Sequence, residues 1–240
     1  MPKKEKPEEK TEKNEFAIDV EEMMAAGVHL GHRTSKLHPK MEEFILGIRN
    51  TVHIIDLKKT ASYLQNALKF IADISSQKKT MLLVGTKPVI NDLVREMAQE
   101  CGLPYVTERW LGGTFTNFKV IAERIKYFKE IEDKEKKGEL EKYTKKERIK
   151  IARDLENLRR KFEGIKSLQG LPEAVFICDI RRDKLALKEA KMKGVKVVAI
   201  VDTNVDPTLV DYPIPANDDA ISSVRYILEK VKKAIKKAKK

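Results

Sequence analysis

The sequence lacks the features that would place it in a membrane, outside the cell or among metal-binding proteins. Of its 240 residues two are Cys and one is Trp. No apolar run exceeds five residues, far short of the roughly 20 that a membrane-spanning helix needs. Cys101 and Cys178 form neither a metal-ligand spacing nor a disulfide framework. Residues 1–15 have no apolar core of a secretory signal, and their five acids argue against a transit peptide. We therefore expect a cytoplasmic protein with no membrane partner.

Charge is abundant and unevenly placed. Lys and Arg number 49 against 37 Asp and Glu, a net charge of +12. Residues 230–240 carry seven lysines and no acid, and residues 33–40 carry three bases and a histidine without an acid. Residues 197–224 hold five aspartates without one Lys or Arg. This layout favours an anionic partner such as nucleic acid, although solubility alone would also explain a basic protein.

Continuous apolar segments alternate with segments of helical periodicity. The predicted strands are 81–85, 104–107, 174–179, 196–202 and 212–215. The predicted helices between and after them are 88–100, 183–192 and 217–238, with 58–77 before the first strand. Two short strands at 44–48 and 52–56 and a helix within 16–26 come earlier. The pattern predicts an α/β fold, a three-layer parallel sheet of the Rossmann or flavodoxin type.

An inserted segment has a different composition. Residues 123–163 contain 15 bases and 11 acids, while their few apolar residues recur every three or four positions, which predicts two antiparallel helices with a coiled-coil seam. The seam residues are Phe118, Ile121, Ile125, Phe128 and Ile131 on the first helix and Ala152, Leu155, Leu158, Phe162 and Ile165 on the second. Gly138 marks the tip, and Thr144 and Glu147 form a capping box. We expect this hairpin to protrude by about 30 Å, although it could also lie on the domain.

The predicted organisation follows from these patterns. It comprises a disordered tail at 1–15, a single α/β domain formed by 16–113 and 166–229, a coiled-coil hairpin at 114–165 and a lysine-rich tail at 230–240.

No catalytic motif is recognisable. Gly85–Pro88, after the first strong strand, is neither a GxGxxG motif nor a P-loop, and no serine lies in a nucleophile elbow. We therefore predict neither an enzyme nor a bound cofactor nor a small-molecule substrate. Carboxylates after parallel strands and nearby histidines could still hold a divalent cation. The candidate ligands are His32, Asp179, Asp202 and Asp206, but capping of the following helices and turns already explains the aspartates, and we predict no metal.

Three basic regions are candidate RNA contacts. Residues 33–40 bring Arg33, Lys36 and Lys40 close together, with His38 able to stack on a base or bind a phosphate. Arg49 follows soon after. Between Arg109 and Lys119, the Gly112-Gly113 loop leads into a helix whose free N–H groups could bind phosphate, or whose glycines could simply allow a tight turn. The predicted RNA-binding residues are Arg33, Lys36, His38, Lys40, Arg49, Arg109 and Lys119.

Several stretches together resemble one family. They are AGVHLGHRTSKLHPKM (26–41), GIRNTVHIIDLKKT (47–60), RWLGGTFTNF (109–118), LPEAVFICD (171–179), EAKMKGVKVVAIVDTNVDP (189–207) and DYPIPANDDAI (211–221). In this order, from about 26 to 228, they resemble the bacterial ribosomal protein S2 family of the small subunit. The resemblance implies a five-stranded parallel sheet with a helical hairpin and no enzyme activity. It also implies binding to small-subunit ribosomal RNA at the junction of head and body, and docking of ribosomal protein S1.

The sequence departs from the family in the basic segment. Leu37 and His38 stand where the family usually has Trp and Asn, so a stacking role for that Trp cannot be transferred. The phosphate role of Arg33, Lys36 and Lys40 is unaffected by this change. Two other classes of protein remain as alternatives: a nucleotide- or metal-dependent enzyme on the same sheet, and a coiled-coil adaptor whose partner binding would survive high salt.

Overall fold

The architecture consists of two sheets of different kinds. The structure, a computed structural model, describes residue 16 and residues 18–239. The strands are β1 (Leu30–Arg33), β2 (Ile45–Arg49), β3 (Val52–Ile55), β4 (Met81–Val84), β5 (Tyr105–Val106), β6 (Ala174–Ile177), β7 (Lys196–Val201) and β8 (Tyr212–Pro215). The helices are α1 (Val20–Ala25), α2 (Leu57–Ser76), α3 (Asn91–Cys101), α4 (Phe118–Lys136), α5 (Lys145–Phe162), α6 (Lys184–Lys193) and α7 (Ile221–Ala238).

The five later strands form a parallel sheet in the order β5-β4-β6-β7-β8. Successive residues of a strand point to opposite faces, so Val175 and Phe176 enter different cores, both fully buried. One core contains side chains of α1, α2, α3 and α7, and the other those of α4, α5 and α6. Burial on both faces explains the continuous apolar strands. The predicted three-layer α/β fold with a parallel sheet is confirmed.

The first three strands form a separate antiparallel sheet in the order β1-β3-β2. The predicted strands at 44–48 and 52–56 are present as β2 and β3. Strand β1 was not predicted, because its sequence LGHR shows no alternation of apolar and polar residues. The consequence is that the first residue of the apparent basic loop, Arg33, is the last residue of a strand.

Helices α4 and α5 contact each other through apolar residues. Phe128, Leu155 and Phe162 are buried in the core that continues under the parallel sheet. Arg159 Nη2 lies 3.3 Å from Glu135 Oε2, and the capping box of Thr144 and Glu147 is present. Ala152 is exposed rather than in the seam. Protrusion of the pair remains a prediction.

The lysine-rich end of the chain belongs to a packed helix in the described structure. Helix α7 runs without a break across residue 230, and Val231, Ala234 and Ile235 are fully buried. The division placed at residue 230 therefore does not appear as a boundary, because apolar residues between the lysines hold this segment on the domain. The tail predicted at 1–15 lies outside the described residues. None of the described helices is long and apolar enough to span a bilayer.

Candidate nucleic-acid interface

The small sheet places two arginines side by side. Val52 of the central strand β3 is the register partner of both Arg33 and Arg49. Residues directly opposite one another in antiparallel strands point to the same face, and neighbouring strands lie about 4.8 Å apart. Both arginines are exposed. The backbones of the two arginines thus lie about 10 Å apart on one face of the sheet, although 15 residues separate them in the sequence.

The basic segment 33–40 is held by Thr203, which follows β7. The Thr203 hydroxyl accepts a hydrogen bond from His32 N at 2.9 Å, and its carbonyl accepts one from His38 N at 2.8 Å. Thr203 is fully buried, so both ends of the segment are fixed to the parallel sheet. Gly31 permits this approach, since a Cβ atom there would lie 2.5 Å from Thr203 Cγ2. The start of the acidic stretch 202–219 therefore contacts the basic segment directly.

The remaining predicted residues of the segment are not equivalent. Lys36 is exposed, and its charge helps to keep the pKa of Asp219 low. His38 is half-buried, and its Nδ1 accepts a hydrogen bond from Lys40 N at 3.3 Å. Lys40 Nζ lies 2.8 Å from Asp206 Oδ2 and 2.9 Å from Thr208 Oγ1. Lys40 is therefore less available to a phosphate than the sequence suggested, because its charge is already paired.

Behind the basic segment, His32 binds the acidic stretch. Its Nδ1 lies 3.2 Å from Asp202 Oδ2, and its Nε2 lies 2.9 Å from Asn204 Nδ2. An amide donating to Nε2 leaves the imidazole proton on Nδ1, directed at Asp202. The hydrogen bond to Asp202 raises the pKa of His32 against the opposing effect of burial, and the Asp219 and Asp218 charges raise it further.

A lysine occupies the middle of the remaining carboxylates. Lys87 Nζ is paired with Asp219 and lies 3.6 Å from Asp218 Oδ1 and 3.8 Å from Asp179 Oδ2. Burial raises the pKa of Asp218 to about 8, aided by the Asp202 and Asp179 charges and opposed by Lys87. Over the described residues, no three His, Cys, Asp or Glu side chains converge as metal ligands.

The four candidate metal ligands do not converge on one point in the described structure. Asp202 pairs with His32, Asp179 is near Lys87, and Asp206 pairs with Lys40 on the other side of the basic segment.

The loop between β5 and α4 is organised around a buried carboxylate of α6. Glu189 accepts hydrogen bonds from the backbone N–H groups of Gly113 at 2.7 Å, Phe115 at 2.9 Å and Thr116 at 3.2 Å. The Trp110 indole donates to the same carboxylate at 3.4 Å. Burial raises the pKa of Glu189, but these hydrogen bonds outweigh it and the pKa is lowered. Glu189 occupies the N–H groups that could have bound phosphate, and Gly113 adopts a φ of +93°, so the arrangement favours the alternative in which the glycines allow a tight turn.

Arg109 and Lys119 flank this loop and are exposed. Arg109 lines a groove together with three further cations, Lys161, Arg182 and Lys184. Within residues 18–239, no hydrogen bond or ion pair joins Arg109 or Lys119 to residues 33–49, so the predicted RNA-binding residues fall into two groups. The sequence did not reveal Lys161, Arg182 and Lys184 as neighbours of Arg109, because only the fold brings these distant residues together.

Comparison with known proteins gives one consistent result. Residues 23–238 match the family described as "Ribosomal protein S2". The chain is 44% identical over 218 residues to "Small ribosomal subunit protein uS2" of Coprothermobacter proteolyticus, covering 91% of this chain and 81% of that protein. It is 43% identical to the protein of the same name from Dictyoglomus thermophilum, covering 92% and 90%. A Nitratiruptor protein of that name is 43% identical, covering 91% and 82%.

The chain belongs to the ribosomal protein S2 family. Membership of the S2 family confirms the resemblance and the prediction that the chain is not an enzyme, because this family is structural. As an S2 protein the chain is a component of the small ribosomal subunit, within the cytoplasmic ribosome, and has ribosomal RNA and other ribosomal proteins as partners.

Proposed function

We propose that the chain binds small-subunit ribosomal RNA near the junction of head and body, with the small antiparallel sheet as a principal contact. The observation that carries the proposal is the pair Arg33 and Arg49 on either side of Val52. The guanidinium group of arginine binds phosphates in bidentate geometry. Lys36 and His38 extend the contact along the segment that Thr203 holds, while Arg109 and Lys119 contribute from the other group.

Recognition of this kind depends on shape and phosphate geometry more than on base edges. Proteins commonly recognise folded RNA through its backbone and shape. The His38 ring keeps a local hydrogen bond to Lys40 N, so it contributes through its exposed edge. The hairpin of α4 and α5 would then reach a further RNA segment or a neighbouring protein.

The test replaces Arg33 and Arg49 together with Gln in the full chain. We expect binding to small-subunit ribosomal RNA to weaken and the slope of log affinity against log salt to decrease by about 2, one for each lost phosphate contact. The matched control replaces the exposed Lys193 and Lys233 with Gln, which removes the same charge elsewhere. Equal salt slopes in the two double variants would contradict the proposed contact.

We also propose that the chain supports docking of a neighbouring ribosomal protein, with S1 as the candidate that the family resemblance supplies. Val20 and Met24 of α1 and Ile221 of α7 are exposed apolar side chains, and Ser222 Oγ donates to Ala26 O at 2.7 Å, which ties the two helices together. Replacement of Met24 with Glu should weaken binding of purified S1 without changing RNA binding. Unchanged S1 binding would contradict docking at this patch.

A further inference from the structure

The groove beside Arg109 lies where open parallel sheets bind ligands. The strand order reverses between β4 and β6, because the chain moves from β4 outward to β5 and then returns to the other side of β4. Ligands of such sheets bind at the carboxyl ends of the strands near this reversal. Thr86 follows β4, Arg109 follows β5 and Arg182 follows β6, and all three line a groove of about 630 Å³.

The cations of this groove are available to a ligand. Arg109, Lys161 and Lys184 are exposed, and within the described part of the chain none of the three forms an ion pair with an acidic side chain. Arg182 Nε donates to the carbonyl and the hydroxyl of Thr86, both at 3.1 Å. These bonds hold the guanidinium in one orientation and leave its two terminal nitrogens directed elsewhere.

The acids of the groove are already engaged. Asp183 is buried and accepts hydrogen bonds from Thr86 N at 3.3 Å and Thr86 Oγ1 at 2.8 Å. Glu108 Oε1 lies 3.8 Å from Arg95 Nη2. The groove therefore presents four cations against two carboxylates that have partners within the protein, which makes it suited to an anion.

The cationic surface continues beyond a single site. A second groove of about 370 Å³ shares Arg109 and Lys161 and extends along α5 past Arg159 and Arg160. The latter two are paired with Glu135 at 3.3 Å and Glu156 at 2.7 Å. Five bases line this second groove against three acids, Glu108, Glu156 and Glu163. Its cations left unpaired in the described structure, Arg109 and Lys161, are those that it shares with the first groove, so the two grooves together offer more than one phosphate contact.

We propose that these two grooves form a second RNA-binding surface, which takes the phosphodiester backbone of ribosomal RNA through Arg109, Lys161, Arg182 and Lys184. The proposal rests on the RNA binding proposed above and adds a contact that is separate from Arg33 and Arg49. The surface holds RNA at the carboxyl edge of the parallel sheet, whereas the first contact holds it on the antiparallel sheet.

The test uses the full chain with Lys161 and Lys184 both replaced by Gln, which leaves the Thr86–Arg182 contact intact. Affinity for small-subunit ribosomal RNA is measured by filter binding over a series of salt concentrations. We expect binding to weaken by roughly tenfold or more and the salt slope to decrease by about 2. The Lys193 and Lys233 double variant is the charge-matched control, and Arg at both positions 161 and 184 should restore binding.

A variant that removes a negative charge instead of a positive one distinguishes an electrostatic effect on RNA binding from damage to the fold. Replacement of Glu108 with Gln removes a negative charge from the rim of the groove, so RNA binding should tighten while the melting temperature stays the same. Weaker or unchanged binding of Glu108→Gln would count against an electrostatic site.

The outcomes distinguish the possible failures. If wild-type protein binds the RNA and the Lys161 and Lys184 variant behaves like the control variant, the groove is not an RNA contact and only this inference fails. Saturable binding of adenosine monophosphate that the same variant loses, with RNA binding unchanged, would instead assign the groove to a free nucleotide. Wild-type protein that does not bind the RNA would overturn the proposed function, and the inference with it.

Discussion

At the scale of single residues, Glu189 has the largest structural role in the second cationic region. It is 4% exposed and accepts hydrogen bonds from three backbone N–H groups, the Thr116 hydroxyl and the Trp110 indole. A buried carboxylate with several donors is stable because charge-assisted hydrogen bonds offset its desolvation. The carboxylate fixes the loop that carries Arg109 without contacting RNA itself.

Replacement of Glu189 with Ala should destabilise the protein by about 3 kcal/mol or more, because several buried donors lose their acceptor. This corresponds to a fall of about 10 °C in melting temperature for a domain of this size. The Gln variant is the control, since its amide oxygen can still accept part of the set, and it should fall between wild type and Ala. Equal melting temperatures for the Ala variant and wild type would show that the loop is held by other contacts.

At the scale of elements, the pair of α4 and α5 begins as part of the domain core. Phe128 is fully buried. Ile121, Ile125, Leu155 and Phe162 belong to the same core, on the face of the parallel sheet that α6 also covers. Lys166 pairs with Glu132, which is 7% exposed, and the Lys166 hydrogen bond keeps the pKa of Glu132 low. The base of the pair is therefore rigidly attached to the fold.

Replacement of Phe128 with Asp should separate α4 from α5, because it removes a buried ring and buries a charge at a cost of about 3–5 kcal/mol. Circular dichroism should then record a loss of helicity. Tyr127 on the same helix is 49% exposed, so Tyr127→Asp is a matched control that should leave the spectrum unchanged. Full helicity in the Phe128 variant would refute the seam.

The elements differ in how far the sequence could predict them. Strands β6 and β7 were predictable because burial on both faces requires continuous apolar residues. The end of α6 was predictable because glycine is common just after a helix, and Gly194 has the left-handed φ of +70° that favours glycine there. Strand β1 was not predictable, because its sequence has no strand-like alternation and its pairing with β3 joins segments that are distant in the sequence. The Glu189 contacts and the groove cations were not predictable either, because both join distant segments.

At the scale of the whole molecule, the charged side chains fall into two kinds of region: exposed basic surfaces, and a cluster of ion pairs around His32 and Lys87. Arg33 and Arg49 lie on the antiparallel sheet, and Arg109 and Lys161 line the groove at the edge of the parallel sheet. His32 and Lys87 pair with aspartates behind the basic segment. This internal cluster joins the β7 loop, the basic segment and the start of α7. Its ionisation should therefore affect the stability of the fold.

The contribution of Asp218 to the stability of the fold should decrease as pH rises from about 4 to about 8, and that of His32 should decrease above about pH 6.5. Burial and neighbouring carboxylates raise the pKa of Asp218 to about 8, and the pKa of His32 is raised as well. A raised pKa means that the folded state binds the proton more tightly than the unfolded state. Each group therefore contributes its full stabilisation below its pKa in the unfolded chain, and this stabilisation is lost as pH rises through its pKa in the folded protein.

The Asp218→Asn variant tests this dependence, since Asn resembles the protonated carboxyl group. Its free energy of unfolding should match that of wild type near pH 4 and exceed it progressively toward pH 8, by up to about 1 kcal/mol for each pH unit. Urea titrations at several pH values provide the measurement. A variant that is less stable than wild type at pH 8 would mean that Asp218 is ionised and paired with Lys87.

We propose that electrostatic contact with RNA holds this S2 family member in the small ribosomal subunit. Sedimentation of tagged protein from a lysate through a sucrose gradient, at low and at high salt, tests this proposal. We expect migration with the small subunit at low salt and release at high salt, because phosphate contacts weaken steeply with ionic strength. Migration as free protein at both salt concentrations would contradict it.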